Sequence, residues 1–470
     1  WPVQGTVIEG FGERKDPRYG ISFYNPGIDI QAEKGSPVFA AHDGVVILAQ
    51  TLRGYGKTIL LDHGDIITMY AHLSEIKVRG GQRVKGGEVM ILADFLVEQW
   101  LNPMDSKAEH NLGTSCVRAM TMDELFRVTN QDEDAFLEEM RTMSLHYHHG
   151  DSTGSPRIKK AVAGIYPRSN VSPDHVMMVH GGTGANDIVI MGLLEKGDNI
   201  VVVKPTYQQH YDITKSIGIE TRIVQLKEED DYLLNMDTLR KTVDKNTKLI
   251  ALSNPNNPTG ATLYEDGLRE LVEIAKSVDA YILCDEIYRG LDETYMPSIL
   301  DYGYDKAISV SSMSKMFSMA GTRIGWIVTR DEAAYRNFEN RRSYNTICCG
   351  IVDEVISSIA LENYEKVWER ARNILLPNKE IVYNWVKTQP HLSLRGDAKG
   401  TTCLVRYDYN ISSTELAVDA MEKAKILVCH GACFDEEPAF RIGYGGYTDQ
   451  DKLRASLDAF SSYLKTLENR

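Results

Sequence analysis

The chain reads as an α/β protein built on a mostly parallel sheet and preceded by a small all-β unit. Three observations carry that reading. From about residue 170, apolar strand-like runs alternate with helical patterns, as in a parallel α/β sheet. Nearly every residue suited to chemistry stands just past the C-terminal end of such a run, where open α/β sheets bind ligands. Residues 1–89, by contrast, are rich in glycine, valine and isoleucine, in short alternating runs separated by Gly-containing turns.

A chain of 470 residues exceeds one ordinary core, so two or three domains are expected. Its 43% hydrophobic and 25% charged residues describe a globular protein. The net charge of -14 argues against nucleic acid and anionic membranes as partners, since both select basic surfaces. No apolar run approaches the ~18 residues of a spanning helix. Seven cysteines, all at or after Cys116 and without a spaced framework, read as reduced thiols of a cytoplasmic protein. The chain opens at Trp1 without a signal-peptide pattern, and a leader removed before it is an open expectation.

Taken in order, Pro37–Ala41 and Val45–Leu48 read as strands of the all-β unit. Near Gly86–Met90 the pattern turns helical, and Met90 would suit the start of a once independent protein. Leu92, Phe95, Leu96 and Trp100 then space as an amphipathic helix. Thr121, followed by Asp123, Glu124 and Leu125, reads as a helix start. Further on, Val176–Val179, Ile200–Val203, Leu249–Leu252, Tyr281–Cys284 and Ala307–Val310 read as strands. A helix follows the first of them through Leu194, and Leu268, Leu271, Val272 and Ala275 mark the buried face of another. No internal repeat or low-complexity tract is present.

The chemistry centres on the stretch from Ser312 to Gly325, where Lys315 stands among hydroxyl residues with Arg323 eight positions later. Lysine condenses with aldehydes to a Schiff base, and hydroxyls with an arginine suit a phosphate. The combination points to pyridoxal 5′-phosphate. Gly182-Thr183-Gly184 at a helix start is an anion cradle. Tyr207 after the next strand offers a ring to stack on a flat heterocycle. Asn257 lies in the turn Asn254–Gly260, whose amides can meet a ring oxygen. A carboxylate at Asp285 would keep a pyridine nitrogen protonated, and Tyr288 would reach the phenolic oxygen of the same ring. Arg441, in the apolar segment Phe440–Gly443, suits a substrate carboxylate. Each piece alone also fits ordinary packing, a turn or a solvated side chain; the ordered set does not.

That ordered set resembles the fold-type I pyridoxal-phosphate enzymes of the class I/II aminotransferase family, over about residues 90–470. The resemblance implies a large domain with a mostly parallel sheet and a smaller α+β domain. Residues 90–150 would supply an N-terminal arm and part of the small domain, 151–365 the cofactor-binding large domain, and 366–470 the rest of the small domain. It also implies roles. Lys315 is the Schiff-base lysine and acid–base catalyst, Asp285 the pyridinium partner, and Tyr207 the stacking aromatic counted with the catalytic set. Asn257 and Tyr288 meet the ring oxygen, Gly182, Thr183, Gly184, Ser312 and Arg323 form the phosphate cup, and Arg441, with Asn257, binds substrate. Amino acid and 2-keto acid substrates and a homodimer follow from the same resemblance. One position departs from the pattern: where the family often has a tyrosine reaching the neighbouring subunit's phosphate, this chain has His149, with Tyr147 nearby. The cluster His146, His148 and His149 lacks an acidic or cysteine ligand at metal spacing, so no metal is expected there.

The first unit has its own resemblance. Trp1-Pro2-Val3, Phe11-Gly12, Gly27–Ile30, Gly54-Tyr55-Gly56, His63-Gly64 and Tyr70–Ser74 together resemble the lysostaphin-like zinc endopeptidases that cut peptidoglycan cross-bridges. In that family zinc is held by a histidine four residues before an aspartate, by the aspartate, and by a histidine of a late His-x-His. Here Asn25 takes the first position, Asp29 is present, and no His-x-His occurs before the sequence changes character. His72 matches a catalytic histidine of that family but would have no metal-bound water to serve. A catalytic zinc needs three protein ligands, so a degenerate, truncated and inactive domain is expected.

The expected reaction is transamination through a Lys315 aldimine. A lyase is one alternative. A cyclase is another, because Leu96–Trp100, Asn111-Leu112-Gly113 and Thr121–Leu125 look like the start of capreomycidine synthase-type members. A cell-wall binding protein led by residues 1–89 is the reading from a different class.

Overall fold

The computed structural model describes residues 6–9, 12–15, 22–25, 29–31, 38–64, 66–84, 92–290 and 295–468. The expected junction at Gly86–Met90, the motif residues Trp1–Val3, Phe11, Gly27 and Ile28, and the side chains of Asn25 and Asp29 lie outside what it describes. The chain separates into two compact units, one comprising Trp1–Ala93 with Ser216–Gly218 and the other Asp94–Lys215 with Ile219–Arg470.

Every strand pair described in the first unit is antiparallel. Its main sheet runs in the order Ile67–Leu73, Gly56–Asp62, Gly44–Leu52, Arg83–Val84. Short strands at Thr6–Glu9 and Asp29–Gln31 pair, as do Gly12–Lys15 and Ser22–Asn25. Val46, Leu61 and Val84 make the small core. One expected strand is absent: residues 38–40 carry no regular structure. The Ala41 N–H donates to the Tyr70 hydroxyl at 2.7 Å, so a side chain takes the bond a ladder would have made.

The second unit opens with α1 (Leu96–Asp105) and α2 (Met122–Thr129). α1 starts four residues later than its apolar spacing suggested. The Gln208 side chain accepts from Leu96 N at 2.9 Å and donates to Asp94 O at 2.7 Å, which pins the entry to the helix. α2 begins at Thr121 with a complete capping box to Glu124.

A seven-stranded sheet forms the body of this unit. Its members are β1 (Val176–His180), β2 (Asn199–Lys204), β3 (Glu220–Gln225), β4 (Thr247–Ser253), β5 (Tyr281–Asp285), β6 (Ala307–Ser312) and β7 (Ile324–Thr329). The order is β1-β7-β6-β5-β4-β2-β3. β2 to β6 are parallel, whereas β7 runs antiparallel to both β6 and β1. The central strands are buried on both faces, which is why β2 and β5 read as continuous apolar runs. Helices α3 (Gly181–Leu193) and α4 (Glu265–Ser277) follow β1 and β4, and α4 buries Leu268, Leu271, Val272 and Ala275. A second core surrounds α5 (Tyr364–Thr388) and a four-stranded antiparallel sheet ordered β8-β9-β11-β10. Its strands are β8 (Leu392–Leu394), β9 (Thr402–Tyr407), β10 (Cys429–His430) and β11 (Ala439–Gly443).

Candidate active site

Residues from β1, β4, β5, β6 and β11 meet at the C-terminal edge of the large sheet. Asp285 ends β5 and is 4% exposed. Asn186 Nδ2 donates to its Oδ2 at 3.0 Å and Ile287 N to its Oδ1 at 3.1 Å. Asn186 lies one helical turn beyond Gly182 on α3, so the helix that carries the cradle also carries this donor. His210 Nε2 stands 4.0 Å from the same Oδ2, fully buried and without a hydrogen-bond partner. Burial pushes the Asp285 carboxyl up to about 6, against the pull of Asn186, the Ile287 amide and Lys315. Burial also drives the His210 imidazole down to about 4, so it is neutral near pH 7.

Lys315 follows β6 in the turn that precedes β7 and is half-buried. Its Nζ donates to Ser115 Oγ at 2.7 Å, lies 3.5 Å from Cys116 Sγ, and stands 5.9 Å from the centre of the Tyr288 ring. Burial opposes the ammonium charge while Cys116 and Tyr288 favour it, and the balance holds the amine above the ordinary lysine value. Lys315 is therefore a cation near pH 7 in this arrangement.

At the cradle, Gly182 is buried, and a Cβ there would stand 3.9 Å from Ser312 Oγ. Ser312 Oγ in turn accepts from Ser314 N at 3.2 Å. Gly181 has φ +67, and a Cβ on it would fall 2.5 Å from Arg323 Nη2, so only glycine fits beneath the guanidinium. Thr183 and Gly184 are half-buried in the first turn of α3. His180, just before, is held below its ordinary pKa by burial and by Arg342 and Arg323, which keeps this end cationic through the arginines alone.

Arg441 on β11 is 1% exposed. Its Nη1 donates to Asn257 Oδ1 and its Nη2 to Gly113 O, both at 2.9 Å, while Nε has no partner. The loop carrying Gly113, Ser115 and Cys116 thus touches both Arg441 and Lys315. A Cβ on Gly443 would fall 1.6 Å from Thr114 O, so this loop closes onto β11 only because glycine stands there. Tyr207 is half-buried; its hydroxyl donates to Glu98 Oε1 at 2.8 Å and its ring lies 4.9 Å from that of Phe95. Burial, then Glu98, hold its phenol well above the ordinary tyrosine range, so it stays protonated. Tyr288 is buried.

The sequence-predicted residues Gly182, Thr183, Gly184, Tyr207, Asn257, Asp285, Tyr288, Ser312, Lys315, Arg323 and Arg441 therefore border one region. Sequence reading missed Asn186, His210, Ser115, Cys116 and Glu98, and of these only Asn186 left a signal, its one-turn spacing from Gly182. Outside this region, His149 Nε2 donates to Ser144 O at 2.9 Å, and Tyr147 is 68% exposed. In the first unit His63 bridges Asp43 O and Thr68 Oγ1 at 2.7 Å each, and His72 is exposed on a strand with φ +57. Among the described residues no group of three or more His, Cys, Asp or Glu side chains is placed to hold a metal.

This donor set fits a phosphorylated aldehyde carrying a basic ring nitrogen. The buried Asp285 carboxyl, the orphaned His210 Nε2 and Asn186 Oδ1 beside it, and the Lys315 amine make one end. The glycine cradle with Ser312 and Arg323 makes the other, as phosphate requires.

Comparison with known proteins gives the same direction. Residues 116–460 match the family "Aminotransferase class I and II", and residues 23–91 match peptidase family M23. A solved pyridoxal-phosphate-dependent aminotransferase from Streptococcus suis is similar at TM-score 0.76 and 34% identity, covering 80% of this chain and 98% of that one. Capreomycidine synthase from Streptomyces vinaceus is 25% identical over 79% of this chain and 93% of its own length. Aspartate aminotransferase from Pyrococcus horikoshii is 26% identical over 68% and 83% respectively.

Proposed function

The chain belongs to the aminotransferase class I and II family, a family of pyridoxal-phosphate enzymes, and from that premise we propose that it moves an amino group between an amino acid and a 2-oxo acid. The observation that supports this most is the convergence of Lys315, Asp285 and Arg441 on one region, linked through Asn257, Tyr288 and the loop 113–116.

When bound, the cofactor supplies an aldehyde that condenses with amines and a ring that takes up the electron pair released at Cα. Asp285 would hold the ring nitrogen's proton, with Asn186 fixing its carboxylate. Gly182, Thr183, Gly184, Ser312 and Arg323 would hold the phosphate, Tyr207 would pack against the ring, and Asn257 and Tyr288 would serve its oxygen. Arg441 trades its contacts with Asn257 and Gly113 for the substrate's α-carboxylate, which orients the Cα–H bond. Lys315, once it has given up its own proton, would take the Cα proton at Nζ and return it to the carbon that had carried the cofactor's aldehyde.

In this reading residues 151–365 bind the cofactor, and residues 366–470 with part of 90–150 form the smaller domain. A homodimer is supported by large apolar side chains left exposed at Leu145, Tyr147, Tyr344 and Ile347. A cytoplasmic location accords with seven free cysteines; among the described residues no helix is long and apolar enough to cross a membrane. The test is a panel of single amino acids and 2-oxo acids given to the cofactor-loaded protein, with wild type beside Lys315→Ala. Release of the matching oxo acid supports transfer. Ammonia or a cyclic product in its place supports the second reading, elimination or cyclisation in the same pocket, which the capreomycidine synthase similarity favours. The M23 match favours a separate wall-binding role for the first unit, which a peptidoglycan pull-down would test.

A further inference from the structure

One carboxylate beside the site has no part in the scheme above. Glu98, in the first turn of α1, accepts the Tyr207 hydroxyl at 2.8 Å and Asn102 Nδ2 at 3.2 Å. Among the described residues it forms no ion pair, and it is only half-buried, so one side remains open to a visitor. Its position is fixed from three directions. Gln208, next to Tyr207, pins both Asp94 and Leu96 at the start of α1. Trp100 Nε1 donates to Val428 O at 2.8 Å. Val97 is buried in a cluster with Cys429, Cys433 and Phe434, and the Arg441 cation lies 5.4 Å from the centre of the Phe434 ring. Cys429 stands directly opposite Arg441 across the β10–β11 pair, and it feels both the Arg441 cation and the Glu98 carboxylate. The carboxylate therefore stands at the hydroxyl rim of the Tyr207 ring, near Cys429, the strand residue that pairs with Arg441.

We propose that Glu98 determines substrate specificity, selecting amino acids whose side chain ends in a cation, an ω-amino or guanidino group, and disfavouring dicarboxylic ones. The inference rests on the pyridoxal-phosphate reading above and adds the substrate class to it. A held carboxylate attracts a cationic side chain and repels an anionic one without reorganising, and partial burial strengthens both effects.

The test uses the cofactor-loaded full chain and three α-methyl amino acids, which lack the Cα proton and so bind without turnover: α-methylornithine, α-methylnorvaline and α-methylaspartate. Dissociation constants come from titration of wild type, Glu98→Gln and Glu98→Lys. Wild type is expected to bind the ornithine analogue about tenfold more tightly than the neutral one, with the aspartate analogue weakest. Glu98→Gln brings the cationic and neutral ligands to within about threefold, and Glu98→Lys reverses the order. If Glu98 only anchors Tyr207, its replacement shifts all three ligands alike, and the proposal falls. It falls equally if wild type binds the aspartate analogue best while still turning over some amino acid, and then the aminotransferase reading stands. Absence of binding by all three, together with no amino acid reacting, removes both.

Discussion

The floor of the site and its front are made differently. The floor is Asp285, Ser312 and the cradle at the ends of β5, β6 and β1, seated on strands buried on both faces. The front is α1 and the loop 113–116, which reach Tyr207, Lys315 and Arg441 through side-chain contacts spanning 109, 200 and 328 residues of sequence. The sheet fixes what chemistry the site can do; the front is free to vary which substrate arrives. A member of a broad family can thus keep the whole of the first while its second answers to a different ligand.

This division makes graded predictions. The largest effect belongs to the floor's amine: Lys315→Ala is expected to lower turnover by about 10⁴-fold, the upper range for a positioned acid–base group, while leaving the thermal transition within a few degrees. A variant that keeps a tenth of the activity would move the catalytic amine elsewhere. Asp285→Asn follows, with an expected loss of about 10²–10³-fold in turnover, because an amide cannot hold the ring proton as a buried carboxylate does. At the front, Arg441→Lys is expected to raise KM by about 100-fold with a smaller change in kcat, since lysine lacks the planar fork. A loss mainly in kcat would join Arg441 to the floor.

A fourth prediction concerns pH and the cofactor-free protein. Asp285 titrates near 6 in the folded state against an ordinary 3.8, so the folded state binds more protons and stability falls as pH rises from about 4 to 6. His210 titrates near 4 against 6.5, so there the unfolded state binds more protons and stability rises over the same window. The two slopes have opposite signs and so oppose each other over this window. Urea melts from pH 4 to 6, with wild type as the reference, separate the two contributions. Asp285→Asn uncovers the rising slope and His210→Gln the falling one. Parallel slopes in both variants would break the pairing. The smallest effect is expected for Asn186→Leu, about 1–3 kcal/mol in stability and a weaker hold on the cofactor, because Asp285 keeps the Ile287 amide.

The same division explains what could be read in advance. β4 and β5 were legible because double burial leaves the apolar runs Leu249–Leu252 and Tyr281–Cys284 ahead of Ser253 and Asp285, and β6 was legible through Ala307, Ile308 and Val310 ahead of its serines. β7 was not, since Ile324–Thr329 follows the lysine turn with only the short 3-10 helix Ala320–Thr322 between them and folds back antiparallel. Glu98 and Ser115 left no trace because their meaning arises only when distant segments meet. Val38–Ala40 looked like a strand by composition, yet the neighbouring Ala41 amide is taken by a tyrosine hydroxyl, a choice no local pattern records.

The central claim, that Lys315 is the reactive amine of a pyridoxal-phosphate site, is tested most directly by trapping. The full chain is incubated with pyridoxal phosphate, reduced with borohydride, digested and mapped by mass spectrometry. One reduced pyridoxyl group per chain on Lys315, lost in Lys315→Ala, is the expected result. Substoichiometric label scattered over exposed lysines, with Lys315 unmodified, would contradict the account.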